Sequence, residues 1–298
     1  MFSLLDLLPR THPPIRIVDV GAMWTGDEIY APLLARGACH VTGFEPQETQ
    51  RRRLNAARPD IDVLPYVIGD GTTRTFHTCR YPGCSSLYEP DAEMIGRFAG
   101  ISTGPGSNFE VLARERVETR RLDDIADVRA RGCDFLKLDI QGAELDALTG
   151  AISLLHGILL IQLEVEFLPI YRGQPLFSDI DVFLRAHGFV LHKLLDVSGR
   201  AYLPFQIAGN PGHPLSQILW ADAVYIPSFE RLDILTAEQL LTLALILHDV
   251  YASIDLCAAL LEAYERKGGL PLATLYMKHI AQAGDIPITM VTSKPWSD

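Results

Sequence analysis

Several acidic residues of this chain stand at the ends of apolar runs, where an open α/β sheet carries out its chemistry. Residues 17–28 read IVDVGAMWTGDE and residues 41–47 read VTGFEPQ. Asp19 and Gly21 close the first apolar run, and Glu45-Pro46 closes the second. Gly21 allows a sharp backbone turn after a strand, bringing the N-terminus of the following helix against a ligand. The two oxygens of Glu45 can accept both hydroxyls of a ribose. Together they read as a site for an adenosine-containing cofactor. Gly21 is followed by Ala22, Met23, Trp24 and Thr25 before Gly26, so the phosphate-cradling G-x-G-x-x-G/A turn is missing. S-adenosylmethionine, which has no phosphate, suits this turn, and NAD does not.

A second block, residues 134–151, reads DFLKLDIQGAELDALTGA. The two-residue period of a strand puts Lys137 and Asp139 on one side. The chain then enters a helix at Gln141-Gly142-Ala143-Glu144. A carboxylate in so apolar a strand needs a partner, which makes Asp139 a candidate site residue. Glu144 serves either the substrate or its own helix N-terminus. In the third block, residues 161–171, IQLEVEFLPIY, Glu164 and Glu166 share a face and Val165 takes the other. Glu164 can take a proton from a hydroxyl nucleophile, or hold a divalent metal with Asp139. No ligand pattern supports the metal. His192, in the next strand, is a second candidate base or a structural histidine.

The elements that must position these groups alternate as strand and helix. Strands are expected at residues 15–20, 40–44, 61–68, 135–140, 158–165, 189–195 and 218–226. Helices are expected at 27–35, around Arg51–Arg53, at 143–155, and from a Ser178 cap to His187. The pattern predicts an α/β fold with a seven-stranded, mostly parallel sheet whose last strand is antiparallel. Residues 77–106, rich in Gly, Pro and Ser, read as an insertion. Phe98, Phe109, Tyr171, Tyr202 and Phe205 read as acceptor contacts or as packing. From about Phe229 the composition turns helical. A Thr236–Gln239 capping box precedes helices at 237–247 and 254–267, with a third at 272–280. The expected division is 1–229 for the cofactor-binding domain and 230–298 for a C-terminal helical extension.

With 298 residues, 48% of them hydrophobic and 21% charged, the chain is a folded protein of one domain plus an appendage. The net charge of −11 weighs against a nucleic-acid or membrane-surface partner. The five cysteines describe no disulfide scaffold, and Cys79 and Cys84 read as two unrelated thiols rather than a metal knuckle. The start MFSLLDLLPR has no signal-peptide pattern and no apolar run is long enough to span a bilayer, so a cytoplasmic location is expected. Mean hydropathy is +0.14, with much of the excess in residues 240–261. These helices are therefore expected to be buried, against their own chain or in a homodimer.

The ordered motifs resemble the FkbM family of S-adenosylmethionine-dependent methyltransferases. They are Asp19 to Gly21, Glu45-Pro46, Leu122-Asp123-Asp124, the block from Lys137 to Glu144, and Leu163-Glu164. Ser85-Ser86-Leu87, Phe183-Leu184 through Gly188-Phe189, and Ala221-Asp222-Ala223 add to them. The resemblance covers about residues 15–227, and Gln141 stands where the family usually has Glu. It implies a class I methyltransferase (Rossmann-like) fold and transfer of a methyl group to a hydroxyl of a small molecule, such as a sugar or polyketide. Asp19, Gly21, Ala22, Trp24, Thr25, Glu45, Pro46, Asp70 and Asp139 would then contact the cofactor. Asp139 and Glu164, with Glu144 and His192 behind them, would activate the acceptor. The rivals are a catalytically weak cofactor-binding module in an assembly and an NAD-dependent oxidoreductase.

Overall fold

The computed structural model describes residues 2–9, 12–22 and 28–283. In chain order they form β1 (Ile15–Val20), α1 (Ala31–Ala35), β2 (Cys39–Phe44), α2 (Glu48–Ala57), β3 (Asp62–Leu64), β4 (Thr73–Cys79), α3 (Ala92–Ile95), β5 (Val111–Glu118), α4 (Ala126–Arg131) and β6 (Phe135–Leu138). There follow α5 (Glu144–Thr149), β7 (Leu160–Glu166), α6 (Phe177–Ala186), β8 (Phe189–Arg200), β9 (Gln217–Pro227), α7 (Phe229–Ile234), α8 (Ala237–Asp249), α9 (Ile254–Arg266) and α10 (Ala273–Ala283).

Seven strands form one sheet in the order β3-β2-β1-β6-β7-β9-β8. The pairs β2–β3, β1–β6 and β6–β7 are parallel, and β9 runs antiparallel to β7. This is the expected class I methyltransferase-like sheet. Its centre is apolar because it is covered on both faces: Val18, Val20, Leu136, Leu138, Ile161, Leu163 and Val165 are buried on one face, and Ile17, Phe135 and Leu160 on the other. From β1 the sheet grows to one side through β2 and to the other through β6. The crevice outside the carboxyl ends of β1 and β6 is therefore the topological switch point, where ligands of such sheets bind.

The compact units do not follow chain order. Residues 17–22 and 41–226 form the unit that holds the acidic motifs, and residues 2–9, 12–16, 28–40 and 227–283 form the other. In the second unit, the continuous run from Leu240 to His248 on α8 is buried. His248 hydrogen bonds the Phe2 carbonyl through Nε2 (2.8 Å) and contacts the Tyr276 hydroxyl through Nδ1 (2.9 Å). Asp249 accepts bonds from Ser3 Oγ and Leu4 N, each at 3.0 Å. The apolar excess of the tail is thus covered within the chain, and the Thr236–Gln239 capping box forms as expected.

Other expectations need correction. The strand expected at 61–68 is cut to β3, and Ile68 keeps only an isolated bridge to Arg120. Ser178 does not cap α6; Asp179 instead accepts the Leu176 N–H at 2.8 Å. The helix expected at 143–155 stops at Thr149, followed by a 3-10 turn over Leu154–His156. The insertion is bracketed by an antiparallel ribbon, β4 with β5, which alternating charge in RERVE had hidden. Phe98, Phe109 and Tyr171 pack a satellite core with Ile95, Ile170 and Leu219, whereas Tyr202 and Phe205 are 43% and 70% exposed. Cys79 and Cys84 are buried thiols that burial pushes up to about 11 and about 12. No helix among the described residues is long and apolar enough to cross a membrane.

Candidate active site

The crevice begins at a close approach of two backbones. Gly21 has φ +86°, and a Cβ there would lie 1.9 Å from the Asp139 carbonyl oxygen. Only glycine accommodates both the left-handed turn and the neighbouring chain. Gly21 N and Ala22 N both donate to Phe44 O, at 3.0 and 3.1 Å, while Asp139 N donates to Val20 O at 2.9 Å. The ends of β1, β2 and β6 are thereby tied together.

Glu45 is buried at the end of β2, and its Oε1 accepts the Gln47 N–H at 2.6 Å. Burial raises its pKa against the opposing pull of that bond and of Arg51. The Arg51 guanidinium donates to the carbonyls of Glu45 and Pro46, both at 3.1 Å, which fixes the turn into α2. Asp70 serves its own turn, its Oδ1 accepting from Thr72 N (2.9 Å) and Thr72 Oγ1 (2.6 Å). Burial would raise its pKa, but these bonds and Arg74 outweigh it and the pKa is lowered. Trp24 and Thr25 lie outside the described residues.

Asp19, 1% exposed, faces Lys137 across the β1–β6 register, with Nζ 3.1 Å from Oδ1. Burial would lower the Lys137 pKa, but the charges of Asp19 and Asp139 outweigh it and hold the ammonium above its ordinary value. Asp139 lies one residue past β6 and is exposed rather than buried in the strand. Its partner is Gln141, whose Nε2 lies 3.1 Å from Asp139 Oδ1 and 2.5 Å from Glu164 Oε2. Gln141 Oε1 is 3.0 Å from the Tyr171 hydroxyl, and its carbonyl accepts from Ser86 Oγ at 2.6 Å.

Three further carboxyls crowd this edge. Burial, then the charge of Asp139, raises Glu164 well above the carboxylate range. Glu144 begins α5, accepts the Ile140 N–H through Oε1 at 2.8 Å, and is raised by burial and by Glu166. Burial pushes Glu166 up to about 7. Glu144 Oε2 is buried with no hydrogen-bond partner among the described residues, and the Gln174 side chain opposes part of the rise at Glu166. Asp222 of β9 sits opposite Glu164 and accepts from Gln162 Nε2 at 2.9 Å. A carboxylate whose pKa is raised toward neutrality is a competent general base once ionised. No group of three or more His, Cys, Asp or Glu among the described residues is arranged to hold a metal ion.

The structure therefore brings Asp139, Glu144 and Glu164 into one interacting cluster, with Asp19, Gly21, Ala22 and Glu45 at neighbouring strand ends. His192 lies apart on the edge strand β8, with β9 between it and β7. Sequence reasoning missed the Lys137–Asp19 pair, the Gln141 bridge, the Tyr171 hydroxyl and the buried state of Glu166. Opposite charges near the ends of two adjoining apolar strands were the available signal for the first. Nothing local marks the others.

A family model for the methyltransferase FkbM domain matches residues 19–191, over half of the chain. Among solved structures, the chain is similar to a putative methyltransferase from Thermoplasma acidophilum, with 9% identity and TM-score 0.34 over 73% of this chain and 70% of that one. It is also similar to precorrin-6y C5,15-methyltransferase from Geobacter metallireducens GS-15, with 11% identity and TM-score 0.35 over 76% of this chain and 86% of that one. No curated protein matches the chain. The chain belongs to the FkbM methyltransferase family.

Proposed function

We propose that this methyltransferase uses S-adenosylmethionine to methylate a hydroxyl of a small molecule, such as a sugar, polyketide or related metabolite. The observation that carries the reading is the Asp139–Glu164 pair, joined through Gln141 at adjacent strand ends and next to the Gly21 turn. The residues present fit the cofactor: Glu45 offers a buried carboxylate at the end of β2, where a ribose is held in such folds. Asp19, Gly21 and Ala22 would line its methionine and ribose side, with Pro46 beside Glu45.

When bound, the cofactor supplies a methyl group already activated on a sulfonium, so the protein's main task is alignment of the acceptor. Glu164 takes the hydroxyl proton, its raised pKa making it a stronger base than an ordinary carboxylate. Asp139 accepts a hydrogen bond from a second donor group of the acceptor and so orients the reacting oxygen. Glu144 stabilises the turn between β6 and α5 from behind. A homodimer through the C-terminal helices would rest on residues such as Phe229 and Ile234, 60% and 79% exposed, because the α8 run is already covered.

The test is titration calorimetry with S-adenosylmethionine, followed by a labelled-methyl screen of hydroxylated metabolite pools. Binding and transfer are expected, with transfer lowered at least a hundredfold by Glu164→Gln while cofactor affinity holds. Cofactor binding without transfer to any pool would favour a non-catalytic module. Full turnover in both Glu164→Gln and Asp139→Asn would remove these residues from the mechanism.

A further inference from the structure

We propose that Gln141 is a positioning residue that takes the place of a cation between Asp139 and Glu164, its one side-chain amide holding both carboxylates at the mouth of the crevice. The catalytic consequence rests on the acceptor-facing reading of that pair, whereas the bonding is read from geometry alone. A primary amide has two N–H hydrogens. Gln141 Nε2 lies within bonding distance of one carboxylate oxygen on each side, 3.1 Å from Asp139 Oδ1 and 2.5 Å from Glu164 Oε2.

The amide has one satisfactory orientation. Turned over, it would set an oxygen against the Asp139 carboxylate, which only accepts hydrogen bonds, and would turn both N–H groups away from the pair. The Tyr171 hydroxyl, 3.0 Å from Gln141 Oε1 and 3.1 Å from the Cys84 carbonyl, completes the other end. The backbone is committed as well. Gln141 has φ +58° and Gly142 φ +93°, so two successive left-handed residues reverse the chain between β6 and α5. That conformation is costly for a side-chain-bearing residue and persists only where its surroundings fix it. Ser86 does so, donating from Oγ to the Gln141 carbonyl at 2.6 Å while accepting the Tyr88 N–H at 2.9 Å. Lys137 Nζ is hydrogen-bonded to Asp19 and acts on Asp139 through its charge, with no hydrogen bond to either carboxylate of the pair among the described residues. Two carboxylates this close otherwise need a proton or a cation between them.

Gln141→Glu tests the idea because it keeps the shape and replaces both donors with an acceptor. Thermal melting of the full chain is followed from pH 5 to pH 9, with and without millimolar manganese(II) chloride. The added carboxyl has its folded-state pKa raised, so stability is lost as pH rises through it. The variant should melt close to the wild type near pH 5 and roughly 4–8 °C below it at pH 8.5. Manganese should close much of that gap and leave the wild type unchanged. Gln141→Met removes the donors without adding charge and covers the case in which the first variant does not fold. It should show the same pH-dependent gap at smaller size. A gap that is constant with pH and insensitive to manganese would overturn the proposal, as would equal manganese stabilisation of the wild type. None of these readouts involves cofactor or acceptor, so their failure is distinct from failure of the proposed reaction.

Discussion

Lys137→Met removes the cation that faces Asp19 while keeping most of the side-chain volume between β1 and β6. Asp19 is 1% exposed and lies 3.1 Å from the ammonium, so the carboxylate cannot exchange its partner for bulk water. Breaking a buried pair by deleting one member costs about 3–5 kcal/mol, because the remaining charge stays desolvated. The Lys137 side chain is 18% exposed, which places the expected loss toward about 3 kcal/mol. Urea unfolding at pH 7 followed by intrinsic fluorescence is a suitable assay, since Trp220 lies in β9 of the same sheet. The midpoint should fall with the slope unchanged. The deficit should shrink on acidification, because an Asp19 carboxylate without its cation relieves the strain by binding a proton. Asp19→Asn combined with Lys137→Met should recover at least half of the loss, the charge being gone along with its partner. A single variant costing under about 1 kcal/mol, with the double variant no better, would refute a charge-based account of this pair.

Three further outcomes are expected. Gly21→Ala forces a side chain into φ +86° and a Cβ to 1.9 Å from Asp139 O, which should cost about 3 kcal/mol and abolish S-adenosylmethionine binding by calorimetry. Glu166→Gln should stabilise the protein above pH 7 and not below pH 4.5. A carboxyl raised from 4.5 to about 7 loses its share of stability across that window, up to about 3 kcal/mol, and pH-dependent melting reads the difference. Thr236→Ala breaks the capping box of α8 at about 1 kcal/mol, seen as roughly fivefold faster amide exchange in its first turn.

The sheet was legible because its determinants are local. The apolar runs of β1, β6 and β7 are bounded by Gly, Pro or acidic residues, whereas the pairing of β1 with β6 joins segments far apart in the chain. The same logic failed at β4 and β5, which form a ribbon outside the main sheet. In β5, Val111, Ala113 and Val117 are half-buried and the opposite face is exposed, but the charged Glu115 falls among the half-buried positions and breaks the alternation in the sequence. It failed again at α6, where Ser178 looked like a cap but the chain entered the helix two residues earlier, at Leu176, and Asp179 took the bond. Cap chemistry is decided by where the preceding turn releases the chain, and sequence spacing fixes that only to within a residue or two.

At the site, the residue types at strand ends were legible and their protonation states were not. Asp139 and Glu164 announce themselves by position. What they can do depends on Gln141, 23 residues before Glu164, on Tyr171, 30 residues after Gln141, and on a lysine 118 residues from its aspartate. Each of those meetings is set by strand register and by one left-handed turn, and neither is a property of any short segment. The consequence is chemical as well as structural. A lone Asp139 would be an ordinary surface carboxylate and a lone Glu164 a half-buried acid with no donor. Bridged by one amide, they share a neutral donor between them, one member solvent-exposed and the other raised by burial. In the proposed reaction that asymmetry would let one carboxyl orient an acceptor while its neighbour removes the proton, with the amide between them holding both in place.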